Sequence, residues 1–388
     1  MKIVLLGLEF MNANLGCQAL AYSFAEVVDT AAKKMGITYE CIAVVFSPFE
    51  PIIADDSNSK ITSLRINYKS LGFWHDLKKL FKESDLIVDF TGGDSFSDIY
   101  GNKRFRLATL VKYYAVKSKT PVLLGPQTYG PYRSKLNKKF ASYIIKKSKW
   151  VFARDLTSAN LAKELSNKDV EVTLDVAFRL PYNKKELNRN NKTLVGLNIS
   201  GFLWEGGYNH LNNVTNVDYH KYCEDIMDYL LSKGNYQLYL IPHVGTKDTI
   251  GRENDLAACL SLKEKYPEVI VVNDIRTPMD AKSIISAMDI FIGARMHATI
   301  AAISSGVATI PFSYSRKFEG LFNYLNYPYV ISGRSETTEA AIVKTEKWIE
   351  NVTELNISVK KSLESIQAQK DDFLNKIIQI FHKIIKRG

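Results

Sequence analysis

The 388-residue chain has only four cysteines, Cys17, Cys41, Cys223 and Cys259, and no two stand at CxxC spacing. Their scatter excludes a disulfide scaffold or a zinc ribbon and fits a reducing compartment. No apolar run approaches the roughly eighteen residues of a membrane span, so none is expected. Catalytic signatures are also scarce. There is no G-x-S-x-G, no His-Glu-x-x-His and no Asp-rich metal loop, so neither a serine-hydrolase site nor a required protein-bound metal is expected. The G-x-G-x-x-G of a dinucleotide site and the P-loop lysine are missing as well. Nucleic-acid binding has little support, because no recognition motif occurs and the cations lie along many helices.

What is present is apolar and basic. Hydrophobic residues make up 46% of the chain and aromatics 11%, enough for two cores and too much for a disordered protein. The length also suggests two domains. Fifty-one Lys and Arg against 41 Asp and Glu leave a net charge of +10. That excess admits nucleic acid, an anionic membrane surface or a polyanionic small substrate as partner. The start, Met1-Lys-Ile-Val-Leu-Leu-Gly7, is too short for a signal peptide and no small-residue cleavage site follows it, so a cytoplasmic protein is expected.

Strand-like and helix-like stretches alternate. Strands are expected at 1–7, 40–46, 61–66, 86–90, 122–124, 150–153 and 170–173, with helices at 15–34, 71–81, 104–117, 135–147 and 156–165. Most strands are unbroken Val, Ile and Leu runs, as in a parallel sheet covered on both faces. The stretch 61–66 mixes polar residues and is expected at an edge. The polar segment 181–192 reads as a linker. Beyond it the alternation restarts, with strands at 194–199, 237–241, 269–272, 290–292 and 309–312 and helices at 219–231, 253–265, 281–287 and 296–305. The expectation is therefore α/β, with doubly wound domains at 1–182 and 193–352 and a C-terminal helix at 353–388. In that helix Phe373, Leu374, Ile377, Ile378, Phe381, Ile384 and Ile385 form one stripe beside Lys376, Lys383, Lys386 and Arg387. Such a helix either packs across a domain or lies on an anionic membrane.

Chemistry-bearing residues gather just after strands. In Asp289-Ile-Phe-Ile-Gly-Ala-Arg-Met-His-Ala298 a strand ends at Gly293 and a helix begins within a few residues, an address that favours anions. Arg295 and His297 add a cationic fork and a titratable donor there; the alternatives are a structural ion pair and a core histidine. In Val88-Asp-Phe-Thr-Gly-Gly-Asp-Ser-Phe-Ser-Asp98, Gly92 and Gly93 allow close backbone approach, while Asp94 and Asp98 offer carboxylates for hydroxyl recognition or proton transfer. Asn14 either caps the helix after the first strand or faces a ligand. Gln127 and Tyr129 suit sugar hydroxyls or an ordinary turn. Arg154 opens a helix beside Asp155, His243 ends a strand, and Arg316 and Lys317 follow the last core strand, each with a structural alternative.

Taken together these blocks resemble the polysaccharide pyruvyl transferase family: Asn14-Leu-Gly-Cys-Gln-Ala-Leu20, Gly92-Gly-Asp94, Gly125-Pro-Gln127, Arg154-Asp-x-x-Ser158, Ile241-Pro-His243, Gly293-Ala-Arg-Met-His297 and Tyr314-Ser-Arg-Lys317. Cys17 stands where many members carry an Asp. The resemblance implies a GT-B-like fold, with two Rossmann-type domains facing a cleft and C-terminal helices returning to the first. It implies phosphoenolpyruvate as co-substrate, no cofactor, and a sugar diol acceptor, free or lipid-linked. Arg154, Arg295, Met296 and Lys317 would then hold the donor, and Asn14, Gly92, Gly93, Gln127, Tyr129 and His243 the acceptor. His297 would be the acid and Asp94 the base. A nucleotide-sugar glycosyltransferase and a non-catalytic polyanion or membrane-surface binder are the other readings. If the C-terminal helix meets lipid, the protein sits at the inner face of the membrane.

Overall fold

Buried aliphatic strands alternate with amphipathic helices throughout the computed structural model, which describes residues 1–49, 52–53, 59–207, 214–245 and 253–386. By contacts the chain forms two units. The first comprises Met1–Asn12, Leu20–Arg179 and Gln369–Gly388; the second comprises Ala13–Ala19 and Leu180–Ala368. Chain order would place residues 13–19 in the first unit, but they cluster with the second.

The first unit contains β1 (Lys2–Leu6), α1 (Leu15–Met35), β2 (Glu40–Val45), β3 (Ile52–Ile53), β4 (Lys60–Arg65), α2 (Leu71–Glu83) and β5 (Leu86–Asp89). Then follow α3 (Asn102–Lys117), β6 (Val122–Gln127), α4 (Lys135–Lys147), β7 (Trp150–Ala153), α5 (Leu156–Ser166) and β8 (Glu171–Val172). Among the described residues its sheet runs β3-β4-β2-β1-β5-β6-β7-β8, parallel except for the β3–β4 pair. The strand expected at the edge, β4, is therefore second from it. β1 and β5 are almost wholly buried because helices cover both faces. Helix α1 buries Phe24, Val27, Val28 and Ala31, one stripe at helical spacing. Ser70, Ser134 and Asp155 cap α2, α4 and α5 through their side chains. β6 runs three residues past the expected 124, with a register irregularity around Pro126, which has no N–H for the ladder.

The second unit contains β9 (Thr193–Asn198), α6 (Gly201–Trp204), α7 (Tyr219–Ser232), β10 (Tyr236–Leu240), α8 (Asp255–Lys265), β11 (Ile270–Val271) and α9 (Pro278–Ile285). It continues through β12 (Ile290–Gly293), α10 (Met296–Ser304), β13 (Ala308–Ser313), α11 (Arg316–Tyr324), β14 (Ile331–Ser332) and α12 (Thr338–Glu350). Its sheet order is β11-β10-β9-β12-β13-β14. The polar stretch 181–192, read as a linker, is held to this unit at two points. The Asn183 N–H donates to Ser283 (3.3 Å), and Arg189 pairs with Asp289 (2.6 Å).

The last helix, α13 (Val352–Ile385), starts in the second unit and ends in the first. Phe373, Leu374, Ile377, Phe381 and Ile384 are buried there, and Phe373 meets Phe152 edge-on. Arg179 ties the junction by pairing with Glu26 (2.8 Å) and donating to the Lys370 carbonyl (3.1 Å). Lys376 is bound to Glu171 and Asp372. Of the two arrangements open to this helix the packed one is found for most of the stripe; Ile378 is half-buried and Ile385 is exposed. Lys383 and Lys386 remain exposed, and Arg387 lies outside the described residues. Among the described residues, no helix is long and apolar enough to cross a membrane.

Candidate active site

In a doubly wound sheet the ligand crevice opens where the strand order reverses, at the carboxyl ends of the strands flanking the reversal. In the second unit those strands are β9 and β12, which end side by side with Asn198 opposite Gly293. Asn198 bridges this point. Its carbonyl oxygen accepts the Arg295 N–H (2.9 Å), and its amide donates to the Ile241 carbonyl (3.0 Å). Arg295 and Met296 lead into α10, and His297 lies in its first turn.

Asp255, fully buried at the start of α8, gathers the surrounding loops. Its carboxylate accepts from the backbone N–H groups of Gly201 (2.8 Å), His243 (3.1 Å) and Val244 (3.1 Å). It also receives two nitrogens of the Arg295 guanidinium, at 2.8 and 3.1 Å. Glu253 adds its carboxylate (3.4 Å) and its carbonyl (3.1 Å). Burial opposes the charge of Arg295, but Asp255 outweighs it, and the guanidinium is held above its usual range. Arg295 thus forms the structural pair that the sequence left as an alternative, and its charge is balanced within the protein.

His243 is 3% exposed, and among the described residues neither ring nitrogen has a hydrogen-bond partner. Burial, then the charges of His297 and Arg295, push it down to about 3, so the ring is neutral. A buried imidazole with both nitrogens unsatisfied suits a site that a ligand completes.

Residues 13–19 close over these groups. Asn14 forms an antiparallel bridge with Val244, and the N–H of Leu15 donates to the His243 carbonyl (3.1 Å). The Asn14 side chain accepts from the Gly16 N–H (2.8 Å), so it does cap α1. Gly16 then lies on His297, where a Cβ would come within 2.4 Å of the ring.

Two helices at this edge are open to an anion. In the second unit α6, α7, α8, α9 and α12 each carry a side-chain N-cap, while α10 and α11 do not. Uncapped N-termini leave donors and a positive dipole end for a ligand. Lys317 stands half-buried in the first turn of α11, beyond β13.

In the first unit the reversal lies between β1 and β5. Thr91, Gly92 and Gly93 follow β5 in successive left-handed conformations (φ 44°, 62° and 81°), a turn that requires glycine for most of its length. Gly92 donates to the Gly7 carbonyl (2.8 Å). Asp94 is half-buried and accepts from Tyr100 (2.8 Å) and Ser95 (3.3 Å). Arg154 lies beside Gly93, but it donates to Asp175 (2.8 Å) and Thr128 (2.9 Å) and is itself buried. The helix-start Asp155 caps α5, so the partner of Arg154 is a residue twenty-one positions away. Asp98 is also structural. Burial raises its carboxyl, but donors from Arg133, Ser134 and Asn137 outweigh this and lower it.

Gln127 and Tyr129 are both buried. Gln127 is fully buried and donates to the Asp89 carbonyl (3.0 Å), and Tyr129 sits in the apolar core with its hydroxyl on the Phe152 carbonyl (2.9 Å). Gln127 lies within the extended β6 because that strand runs on past 124. The structure thus brings Asn14, His243, Arg295, Met296 and His297 together in the second unit, and Gly92, Gly93, Asp94 and Arg154 in the first. Asn198 and Asp255 escaped the sequence reading. The signal for Asp255 was the run Glu253-Asn-Asp255, an acidic helix start right after a strand-end histidine.

The sequence profile of the family described as polysaccharide pyruvyl transferase matches residues 14–316 of this chain, more than three-quarters of its length. The chain belongs to this family. The fold is that of GT-B proteins. A trehalose-6-phosphate structure from E. coli bound with UDP-2-fluoro glucose matches with a TM-score of 0.61 at 9% identity, covering 100% of this chain and 99% of that one. A UDP-GlcNAc 2-epimerase from Neisseria meningitidis bound to UDP-GlcNAc matches at 0.59 and 12%, covering 100% of both. The Anabaena HepE protein in complex with UDP-glucose matches at 0.56 and 11%, covering 99% of both. At such identities these likenesses concern the fold. Membership of the polysaccharide pyruvyl transferase family makes the chain a transferase that modifies polysaccharide. Its most specific motif block, Gly293 to His297, lies on the strand reversal of the second unit.

Proposed function

We propose that the protein transfers pyruvyl from phosphoenolpyruvate to two hydroxyls of a sugar in a polysaccharide or lipid-linked precursor. The products are a cyclic pyruvate ketal and inorganic phosphate. The observation that carries this reading is the placement of His297 in the open first turn of α10, beside the neutral, unsatisfied ring of His243. A compact anion fits that address better than a ribose diol does.

The donor carries roughly three negative charges near neutral pH. Arg154 and Arg295 already face buried carboxylates, so their net contribution is small. The open ends of α10 and α11 supply positive field at this edge, and Lys317 lies in the first turn of α11. Arg295 instead fixes the loop that carries His297.

Ketal formation needs a proton on the methylene carbon of the donor. His297 delivers it, and the first sugar hydroxyl adds to the carbon so activated, losing its proton to a general base. The second hydroxyl then displaces phosphate from the same carbon, and its proton leaves with the phosphate. No cofactor enters this scheme; phosphoenolpyruvate is a co-substrate. Asn14 borders the donor through Gly16, and the left-handed turn at Gly92 and Gly93 would present backbone to the acceptor.

The test is phosphate release from phosphoenolpyruvate across a panel of galactosides and N-acetylmannosaminides. Structures of the same fold are bound to UDP-glucose and UDP-GlcNAc, so thermal protection by UDP- or CMP-sugars against phosphoenolpyruvate separates the two donor classes. Protection by a nucleotide sugar alone would favour glycosyl transfer.

A further inference from the structure

The stretch between Asp98 and Asp155 contains fourteen Lys and Arg and not one Asp or Glu. Ten minus fourteen leaves the remainder of the chain net acidic by four, so this one stretch accounts for the whole basic excess. It folds as α3, β6, α4 and β7, with α3 and α4 packed side by side in the first unit. Arg106 of α3 reaches Asn137 of α4 (3.4 Å), and Tyr113 lies against Tyr143 with ring centroids 5.9 Å apart.

The exposed side of α3 carries Lys103, Arg106, Leu110, Tyr113 and Lys117, spaced three and four apart and so on one face. On α4 the series Leu136, Phe140, Tyr143 and Lys147 has the same spacing, with Lys139 and Lys146 alongside. The Lys117 ammonium stands over both Tyr113 (5.7 Å) and Tyr143 (6.0 Å), which joins the two series into one surface. Four large apolar side chains stand in water on it: Leu110 (38% exposed), Tyr113 (39%), Leu136 (48%) and Phe140 (41%). Lys138 is turned away to Glu164 of α5 and does not belong to the face.

We infer that this α3–α4 face docks on an anionic lipid surface. Lysines ringing exposed aliphatic and aromatic side chains are what an interfacial segment presents: cations for lipid headgroups and apolar groups for the boundary beneath them. A second copy of the chain is a poor occupant, since a two-fold contact would set lysine against lysine. Nucleic acid would use the cations but not Leu110, Leu136 and Phe140. Phe373, Leu374, Ile377, Phe381 and Ile384 of α13 are covered by protein, so α3 and α4 offer the larger exposed apolar face. This inference does not depend on the donor chemistry, because binding is read without substrate.

The experiment is cosedimentation of the full chain with vesicles of phosphatidylcholine alone or with about 30% phosphatidylserine. The wild type is expected on the anionic vesicles only, with binding falling steeply as salt rises. Lys139→Glu with Lys147→Glu should lower binding by about tenfold or more at low salt. Leu110→Ser with Phe140→Ser should lower it also at higher salt, where charge is screened. Lys383→Glu with Lys386→Glu on α13 should leave it unchanged. All these positions are exposed, and an unchanged thermal midpoint verifies the fold; should either pair unfold, Lys117→Ala and Lys146→Ala replace it. No binding at low salt, or binding that ignores both α3–α4 pairs, would overturn the inference. So would retention on DNA in place of vesicles.

Discussion

Gly16 lies directly against the imidazole of His297: a Cβ at residue 16 would stand 2.4 Å from Nδ1 and 2.8 Å from Cγ. The neighbour is a ring held in the first turn of α10, which cannot swing aside as a flexible tip would. Gly16→Ala should therefore displace His297. A misplacement of about 1 Å at the acid predicts a loss of roughly a hundredfold in phosphate release, with little change in thermal midpoint. Retention of full activity would show that the ring is not held for catalysis.

Arg295→Ala is expected to cost stability first. It leaves the Asp255 carboxylate buried without its cation, which predicts a loss of about 3–5 kcal/mol in denaturant unfolding of the second unit. Asp255→Ala should cost a similar amount, and the double variant should be less destabilised than the sum. Additive losses would mean that the pair is not coupled.

His243 predicts a pH dependence of stability. Its folded value, about 3, lies below the unfolded value near 6.5. Between them the unfolded chain takes up a proton that the folded chain refuses, so stability falls as pH drops from about 6.5 toward about 3. His243→Gln should flatten this part of the profile, measured as urea midpoints at several pH values. An unchanged slope would show that the ring titrates normally.

The C-terminal helix is predicted to be structural. Truncation after Lys370 removes Phe373, Leu374, Ile377, Ile380 and Phe381, all buried in the first unit. At about 1.5–3 kcal/mol for each buried side chain, the loss should unfold that unit or lower its midpoint steeply. A truncated chain as stable as the full one would contradict the packing.

Much of the architecture was legible because it follows from local pattern. Buried strands such as Leu86–Asp89 and Ile290–Gly293 are short apolar runs ended by glycine or a polar residue, and the helices between them carry caps and stripes. The strand-to-helix address of Arg295 and His297 was readable in the same way. What the sequence could not tell was which carboxylate faces which cation. Arg154 chose Asp175 over the adjacent Asp155, and Arg295 met Asp255 forty residues away, because the partners come together only when strand ends assemble. Nor could it tell that β6 would carry Gln127 inside the sheet. The acid-free interval from Asp98 to Asp155 was open to view, but its meaning depended on α3 and α4 lying side by side.

The most direct measurement is acceptor-dependent phosphate release from phosphoenolpyruvate by the wild type and by His297→Ala. At least one sugar diol of the panel is expected to support release, and kcat of the variant to fall by about a hundredfold or more. Release that persists in His297→Ala with only a raised donor KM, or silence across the panel alongside protection by a nucleotide sugar, would contradict the proposed function.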